Sequence, residues 1–248
     1  MKISAICVCW NAANTIRSTI ESFLAQDYFD KELVIVDGIS TDGTLDIVRS
    51  FNSPLIKLHS GKDKGIYDAM NKGLRLYSGD AVGFLNADDI YHSPKTLSLI
   101  AEGLKKAPVV FGNIDFVDSH IERHVQRQWL LQPFKAGAFK KGWMAPHPTT
   151  YALREVYDKV GGFDTVYRIS GDYDWMIRVF EIHKYPSQHI PHILADMQLG
   201  GMSTSGLKAS WVNLKETSRA RRKWLGAWLV DQAMINKVWK RAKRMTFG

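Results

Sequence analysis

The stretch AVGFLNADDIY, Ala81 to Tyr91, joins an apolar run able to form a buried strand to two adjacent carboxylates, Asp88 and Asp89. Like charges side by side repel, and taking them out of water without a partner is costly. Either the pair lies in water on a loop that opens the next helix, or a cation stands between it and a ligand. The neighbouring sequence decides between the two.

Outward from this stretch, apolar runs alternate with helical spacings. ISAICVCW (3–10) reads as a strand and NAANTIRSTIESFLAQ (11–26) as a helix with Asn14 as its N-cap. ELVIVD (32–37) is a second strand, and STDGTLDIVRSF (40–51) a helix capped by Asp42. LIKLHS (55–60) is strand three, GIYDAMNKGLRLY (65–77) helix three and AVGFLNADD (81–89) strand four. Beyond it, SPKTLSLIAEGLKKA (93–107) is a helix with Ser93 as cap and Pro94 at its first position, and VVFGNIDF (109–116) is a strand. Such alternation builds right-handed βαβ units and a mostly parallel sheet, an α/β architecture whose ligands bind beyond the carboxyl ends of the strands. Those ends carry Asn11, Asp37, the turn GKDKG (61–65) and the Asp88–Asp89 pair. Polar and charged groups converge on one edge, which favours the cation over the plain loop.

The chain has 248 residues, 45% apolar and 23% charged, a globular composition with enough length for a sizeable core. No stretch approaches the roughly 20 uninterrupted apolar residues of a membrane span. The start, MKISAICVCWN, has no small-residue cleavage site, so no secretory signal is read. Cys7 and Cys9 stand at i and i+2 on one strand face, a poor geometry for a disulfide, and a reducing cytosol fits them. The net charge of +8 is unevenly placed: residues 207–248 hold 11 Lys or Arg against Glu216 and Asp231, leaving 22 basic and 23 acidic groups in the first 206. The body is neutral and the tail basic.

Neither a glycine-rich dinucleotide fingerprint nor a GxxxxGK[ST] loop is present, so phosphates must be held another way. Carboxylates holding Mg²⁺ or Mn²⁺ together with a diphosphate would serve. In the second half, APHPTTYALREVYDKVGGFD (145–164) reads as a loop, a helix from about Leu153 and a GG terminator. ISGDYDWMIRVFEI (169–182) reads as a helix capped by Ser170, with Asp172 and Asp174 in its first turn. Acids there complement the helix dipole, which suffices to explain Asp174 and would keep Asp172 ionised.

The runs ISAICVCWNAANTIRSTIESFLAQDY, ELVIVDGISTDGT, GIYDAMNKG, FLNADDIY and GGFD…SGDYDW, in this order, resemble glycosyltransferase family 2 with the GT-A fold, in particular the bacterial branch that builds exopolysaccharide, capsule or O-antigen units. The resemblance covers about residues 2–205. It implies a Rossmann-like, mostly parallel nucleotide-binding sheet flanked by helices, with 1–116 as the nucleotide-sugar half, 117–206 as the acceptor half and 207–248 as a basic helical tail. It also implies an inverting, metal-dependent transfer from a nucleotide-diphosphate sugar. Asp37 matches the carboxylate facing the base. FLNADD takes the place of the DxD motif, so that Asp88 matches the ligand of Mn²⁺ or Mg²⁺, Asn86 replaces the first acid, and Asp89 stands behind the metal ligand. Lys64 is placed to reach the base or diphosphate, or is a solvated loop lysine. Asp172 matches the aspartate of the ED motif, the general base on the acceptor hydroxyl, with Gly171 where the Glu would stand. Asp174, Asn11 and His147 complete the substrate-contact candidates; His147 either bonds acceptor or phosphate or is structural. The family's third, histidine ligand has no counterpart in LGGMSTSG (199–206).

In the tail, Trp224, Trp228, Ile235 and Trp239 share one helical face, with Arg222, Lys223, Lys237, Lys240, Arg241 and Arg244 mostly opposite. This describes a helix lying at a membrane surface, or one whose tryptophans face the catalytic domain. With the resemblance, it implies a polyprenyl-diphosphate-linked saccharide acceptor and a cytoplasmic protein peripheral to the inner face of the membrane; no nucleic-acid-binding fold accompanies the basic run. Two rivals stay open: a non-catalytic nucleotide-sugar or glycan-binding module, since Asn86 and Gly171 depart from the acidic pattern, and a nucleotidyltransferase.

Overall fold

The computed structural model describes residues 1–199 and 206–227. In chain order the regular elements are β1 (Ile3–Cys9), α1 (Ile16–Leu24), β2 (Lys31–Asp37), α2 (Thr44–Ser50), β3 (Ile56–Ser60), α3 (Ile66–Leu76), β4 (Ala81–Phe84), β5 (Asp89–Tyr91), α4 (Thr96–Leu104), β6 (Val109–Val117), β7 (Val125–Trp129), β8 (Tyr151–Leu153), α5 (Arg154–Val160), α6 (Gly171–Ile177), β9 (Ser187–Gln198) and α7 (Gly206–Leu225). Among the described residues these strands form one sheet in the order β3-β2-β1-β4-β8-β6-β9-β5, with β7 on the second half of β6. The first four are parallel, as the βαβ alternation requires; β8 is antiparallel to both its neighbours, and β9 runs parallel to β6.

Alternation along the strands builds two apolar layers. Ile3, Ala5, Cys7, Leu33 and Ile35 meet Ile16, Ile20 and Phe23 of α1 and Leu97 and Ile100 of α4 on one face. Ile6, Val34 and Val36 meet Tyr67 and Met70 of α3 and Tyr173 and Trp175 of α6 on the other. At Gly83 a Cβ would lie 2.5 Å from the Tyr151 ring, so the absence of a side chain lets β8 close onto β4.

Several local expectations change. The run 81–89 is not one strand: β4 stops at Phe84, the chain turns with the Asp89 N–H on the Asn86 carbonyl (3.1 Å), and β5 begins on the far edge of the sheet against β9. The Thr19 hydroxyl of α1 donates to the Asp89 carbonyl (2.8 Å) and holds that turn. The N-cap of α2 is Gly43 rather than Asp42, whose Oδ1 instead accepts from the N–H and hydroxyl of Thr44 (3.1 and 2.6 Å) one residue before the cap, and neither Asn14 nor Ser170 makes a side-chain cap. α4 starts at Thr96 rather than Pro94, because Ser93 accepts from the Lys95 and Thr96 N–H groups in a preceding turn.

The start of the basic tail is built into the body. Ala220 and Arg221 of α7 are buried, and the Trp224 indole packs on the α6 layer and donates to Asp174 Oδ1 (2.8 Å). Trp224 therefore belongs to the domain face and not to an exposed apolar stripe; Trp228, Ile235 and Trp239 lie outside the described residues. Among the described residues no helix is long and apolar enough to cross a membrane.

Candidate active site

The carboxyl ends of β1 and β2 are tied into one rim. Asn11, with φ 50°, accepts from the Thr41 N–H (2.9 Å) and gives its own N–H to Ser40 Oγ (2.8 Å). Asp37 is fully buried: Ser60 Oγ donates to Oδ2 at 2.7 Å and the Ser40 N–H at 3.1 Å. Burial opposes its charge, but the Ser40 and Ser60 donors outweigh burial and hold the carboxyl below its usual range. Asp37 thus fixes the rim from beneath. What the rim presents to solvent is Trp10, 68% exposed, and Ile39, 51% exposed at φ 62°. A β-branched residue in the left-handed region costs on the order of 1–3 kcal/mol, and such strain collects at functional sites. Sequence reasoning missed both residues; the signal available was Ile39 in VDGISTDGT, a β-branched residue in a turn rich in Gly, Ser and Asp. Lys64 lies on the exposed β3–α3 loop; its backbone N–H donates to Asp68 Oδ2 (3.0 Å), and its ammonium has no partner among the described residues.

Beyond β4, Asn86 Nδ2 donates to Asp89 Oδ2 at 2.8 Å. An acid at position 86 would press a third carboxylate against Asp89, so the neutral amide relieves the crowding at that end of the motif. Asp89 is buried and faces inward, where burial and then the Asp88 charge push its carboxyl well up. Asp88 is half-buried and also pushed up by burial; His120 approaches it and its Nε2 bonds the Asp88 carbonyl (2.8 Å). Among the described residues no Lys or Arg pairs with either acid. Adjacent carboxylates under partial burial with no Lys or Arg partner among the described residues fit a divalent cation, and Asp88 is the one with an open face.

Asp172 reaches the same edge through a chain of contacts. The His147 ring stacks on Phe84 at the end of β4, with centroids 5.0 Å apart, and faces Asp172 electrostatically. From α3, the Tyr67 hydroxyl lies 3.1 Å from Asp172 Oδ1, which also accepts the Tyr173 N–H at 2.9 Å. Oδ2 has no hydrogen bond among the described residues and is the atom available to a substrate. Burial pushes the Asp172 carboxyl up, opposed by His147 and by these donors. This differs from the low value that a helix N-terminus alone would impose, and it suits a proton acceptor, whose efficiency grows as its pKa nears the working pH. Burial lowers His147, with the Asp172 charge opposing it, and its buried Nε2 has no partner among the described residues.

The segment before Asp172 is anchored from the tail: Glu216 accepts the N–H groups of Arg168, Ile169 and Ser170, each at 2.9 Å. Asp174 points away from the site, committed to Arg178 Nε (3.1 Å) and Trp224. The dipole account of Asp174 omits these two partners. Asn71 of the AMNKG segment bonds both backbone groups of Phe163 (2.8 and 2.9 Å), so helix three and the GGFD segment support one another.

A separate constellation on β5, β6 and β9 went unread in the sequence. Ligand-type atoms of His92, Asp115 and Asp196 lie within 4.8 Å of one another. The Arg123 guanidinium stands among them, donating to Asp196 (2.6 Å) and Asp115 (2.9 Å), and His92 Nδ1 lies 2.8 Å from both Arg123 Nη2 and Asp196 Oδ1. The available signal was Asp115 inside a nine-residue strand that is otherwise apolar except for Asn113, where burial demands a partner.

A parallel βαβ half continued by short antiparallel strands, with acids gathered at one mouth, is the GT-A architecture of nucleotide-dependent sugar transferases. The family model described as Glycosyl transferase family 2 matches residues 4–161, and the chain belongs to that family. The PGL/p-HBAD biosynthesis glycosyltransferase of Mycobacterium bovis (strain BCG / Pasteur 1173P2) is 30% identical over 207 residues, 79% of this chain and 76% of that protein. In fold the chain is similar to S. aureus TarS 1–349 in complex with UDP-GlcNAc (TM-score 0.69, 19% identity, 90% of this chain and 67% of that one). It is similar also to the mannosyltransferase PcManGT from Pyrobaculum calidifontis in complex with GDP-Man and Mn²⁺ (TM-score 0.66, 21% identity, 92% of this chain and 65% of that one). The chain therefore spans about two thirds of each of those structures.

Proposed function

We propose that the protein is an inverting glycosyltransferase that moves a sugar from a nucleotide-diphosphate sugar to a hydroxyl of a lipid-linked saccharide in cell-surface polysaccharide synthesis. The observation that carries the reading is Asp172: one carboxylate oxygen held by two donors, the other open, on the edge of the sheet that also carries Asp88. Open Oδ2 removes the acceptor proton as the hydroxyl attacks the anomeric carbon in line, opposite the departing diphosphate, so no covalent sugar–enzyme intermediate is needed. Asp88 would hold a Mn²⁺ or Mg²⁺ ion, which when bound neutralises charge on the diphosphate. Residues 1–116 hold the nucleotide, with Trp10, Asn11, Ile39 and Lys64 at the base and diphosphate side and Asp37 shaping the rim beneath. Residues 117–206 serve the acceptor, with His147 offering Nε2 to an acceptor hydroxyl or a phosphate.

The nucleotide sugars bound by TarS and PcManGT, and the Mn²⁺ bound by PcManGT, support the donor class and the metal. The two departures from the acidic pattern each have a compensating contact, Asn86 with Asp89 and Gly171 with the Tyr67 ring, which favours an enzyme over a non-catalytic module. On this reading the membrane surface is met by the tail past Leu225, in a peripheral protein on the cytoplasmic face. A screen of UDP-, GDP- and dTDP-sugars for nucleoside diphosphate release with and without Mn²⁺ tests the function. One donor is expected to be turned over only with metal; pyrophosphate as product would indicate nucleotidyl transfer, and no release from any donor would favour a binder.

A further inference from the structure

Tyr67 is 4% exposed, and its ring lies flat against the backbone at position 171: a Cβ on Gly171 would sit 2.8–2.9 Å from three of its ring carbons. It also packs on Phe163, with centroids 5.6 Å apart and the rings tilted by 35°. The phenol is thereby fixed with its hydroxyl between two acceptors, the Ile169 carbonyl at 2.6 Å and Asp172 Oδ1 at 3.1 Å. A hydroxyl has one proton, so it serves one acceptor at a time.

We propose that Tyr67 is a positioning residue for the transfer, its hydroxyl holding Asp172 Oδ1 so that Oδ2 faces the acceptor, and that glycine at 171 is the space this ring requires. The inference rests on the reading of Asp172 as the base. While Asp172 is ionised, the Tyr67 proton points to Oδ1. Once Oδ2 has taken the acceptor proton, Oδ1 is a weaker acceptor and the Tyr67 proton turns to the Ile169 carbonyl, whose N–H neighbours are fixed by Glu216. The carboxylate is thus steadied before the proton moves and released from that bond afterwards, without any further group changing charge. The groups facing Asp172 are Tyr67 from α3, His147 from the turn after Pro146 and the Tyr173 N–H of its own helix. His147 is untouched by the change tested below.

Tyr67→Phe keeps the ring and its packing, so it tests the hydroxyl alone. With the donor found by the nucleotide-sugar screen, its kcat is expected to fall about tenfold, the order of loss that loosened positioning produces, while KM for the donor stays within twofold. Carbon-13 NMR of the Asp172 carboxyl is expected to show its titration midpoint moving to higher pH, because a donor to the ionised form is gone. Gly171→Ala, which pushes the ring, should cost as much, and the double variant little more than either single one. Wild-type kcat and an unmoved midpoint in Tyr67→Phe, with Asp172→Asn inactive, would overturn the inference, as would losses that add in the double variant. Should Asp172→Asn itself turn over normally, the base assignment fails instead.

Discussion

Two regions of this sheet gather acids under partial burial, and they settle the charge in opposite ways. On the β5–β6–β9 face, Asp115 and Asp196 close around Arg123 and His92, and every charge has a partner within 3 Å. At the mouth of the parallel strands, Asp88 has no Lys or Arg partner among the described residues, and Asp172 leaves one oxygen open. The same split separates two residues of one helix, Asp172 and Asp174. A buried acid with its partners supplied by the chain is architecture; one held without them has its partner in the substrate or its ion.

Removing each kind should therefore fail differently. Asp172→Asn, the largest effect, should lower kcat by about 10²–10⁴ with the melting temperature and nucleotide binding nearly unchanged, the range that a general base contributes. Asp174→Asn should do the reverse: it removes the buried charge facing Arg178, which keeps only its bonds to the Val160 and Gly162 carbonyls, costing about 1–3 kcal/mol and several degrees in Tm, with the chemical step kept. A comparable loss of kcat in both would erase the distinction. Next in size, Arg123→Ala leaves Asp115 with only its Gln128 bond and Asp196 with only His92. The guanidinium is more than a third exposed, so the loss should be about 2 kcal/mol, read by denaturant unfolding, and Mn²⁺ should restore part of it in the variant but not in the wild type.

The smallest effect is one of pH. Burial raises Asp196, but His92 and Arg123 outweigh it and hold its carboxyl below the usual range. The unfolded chain then binds the proton more readily, so the pair's contribution is whole above the unfolded value near pH 4 and is lost as pH falls through the folded one. The stability lead of the wild type over Asp196→Asn should be constant from about pH 5 to 7 and shrink toward pH 3.

Much of this was legible in the residues. Strands β1 to β4 and the helices between them follow from apolar period and turn chemistry, and the placing of Asn11 and Asp37 side by side at the carboxyl ends of β1 and β2 follows from the strand order that the alternation implies. The break after Phe84 was not legible, because Leu85 and Ala87 continue the apolar run while the turn is set by Thr19 on another element. Nor was Glu216, a tail residue whose three backbone partners lie some 46 to 48 positions away. Tyr67 belongs to a motif visible in sequence, but its role depends on a ring lying against a glycine more than 100 residues on. Local patterns specify elements; contacts between distant elements specify which acids stay open.

Crystals grown with Mn²⁺ and a nucleoside diphosphate, with data taken at the manganese edge, decide most directly which acids receive the cation. An anomalous peak against the Asp88 carboxylate, with Arg123 still seated among His92, Asp115 and Asp196, is the predicted result. A peak inside that second cluster with Arg123 displaced, and none at Asp88, would contradict it.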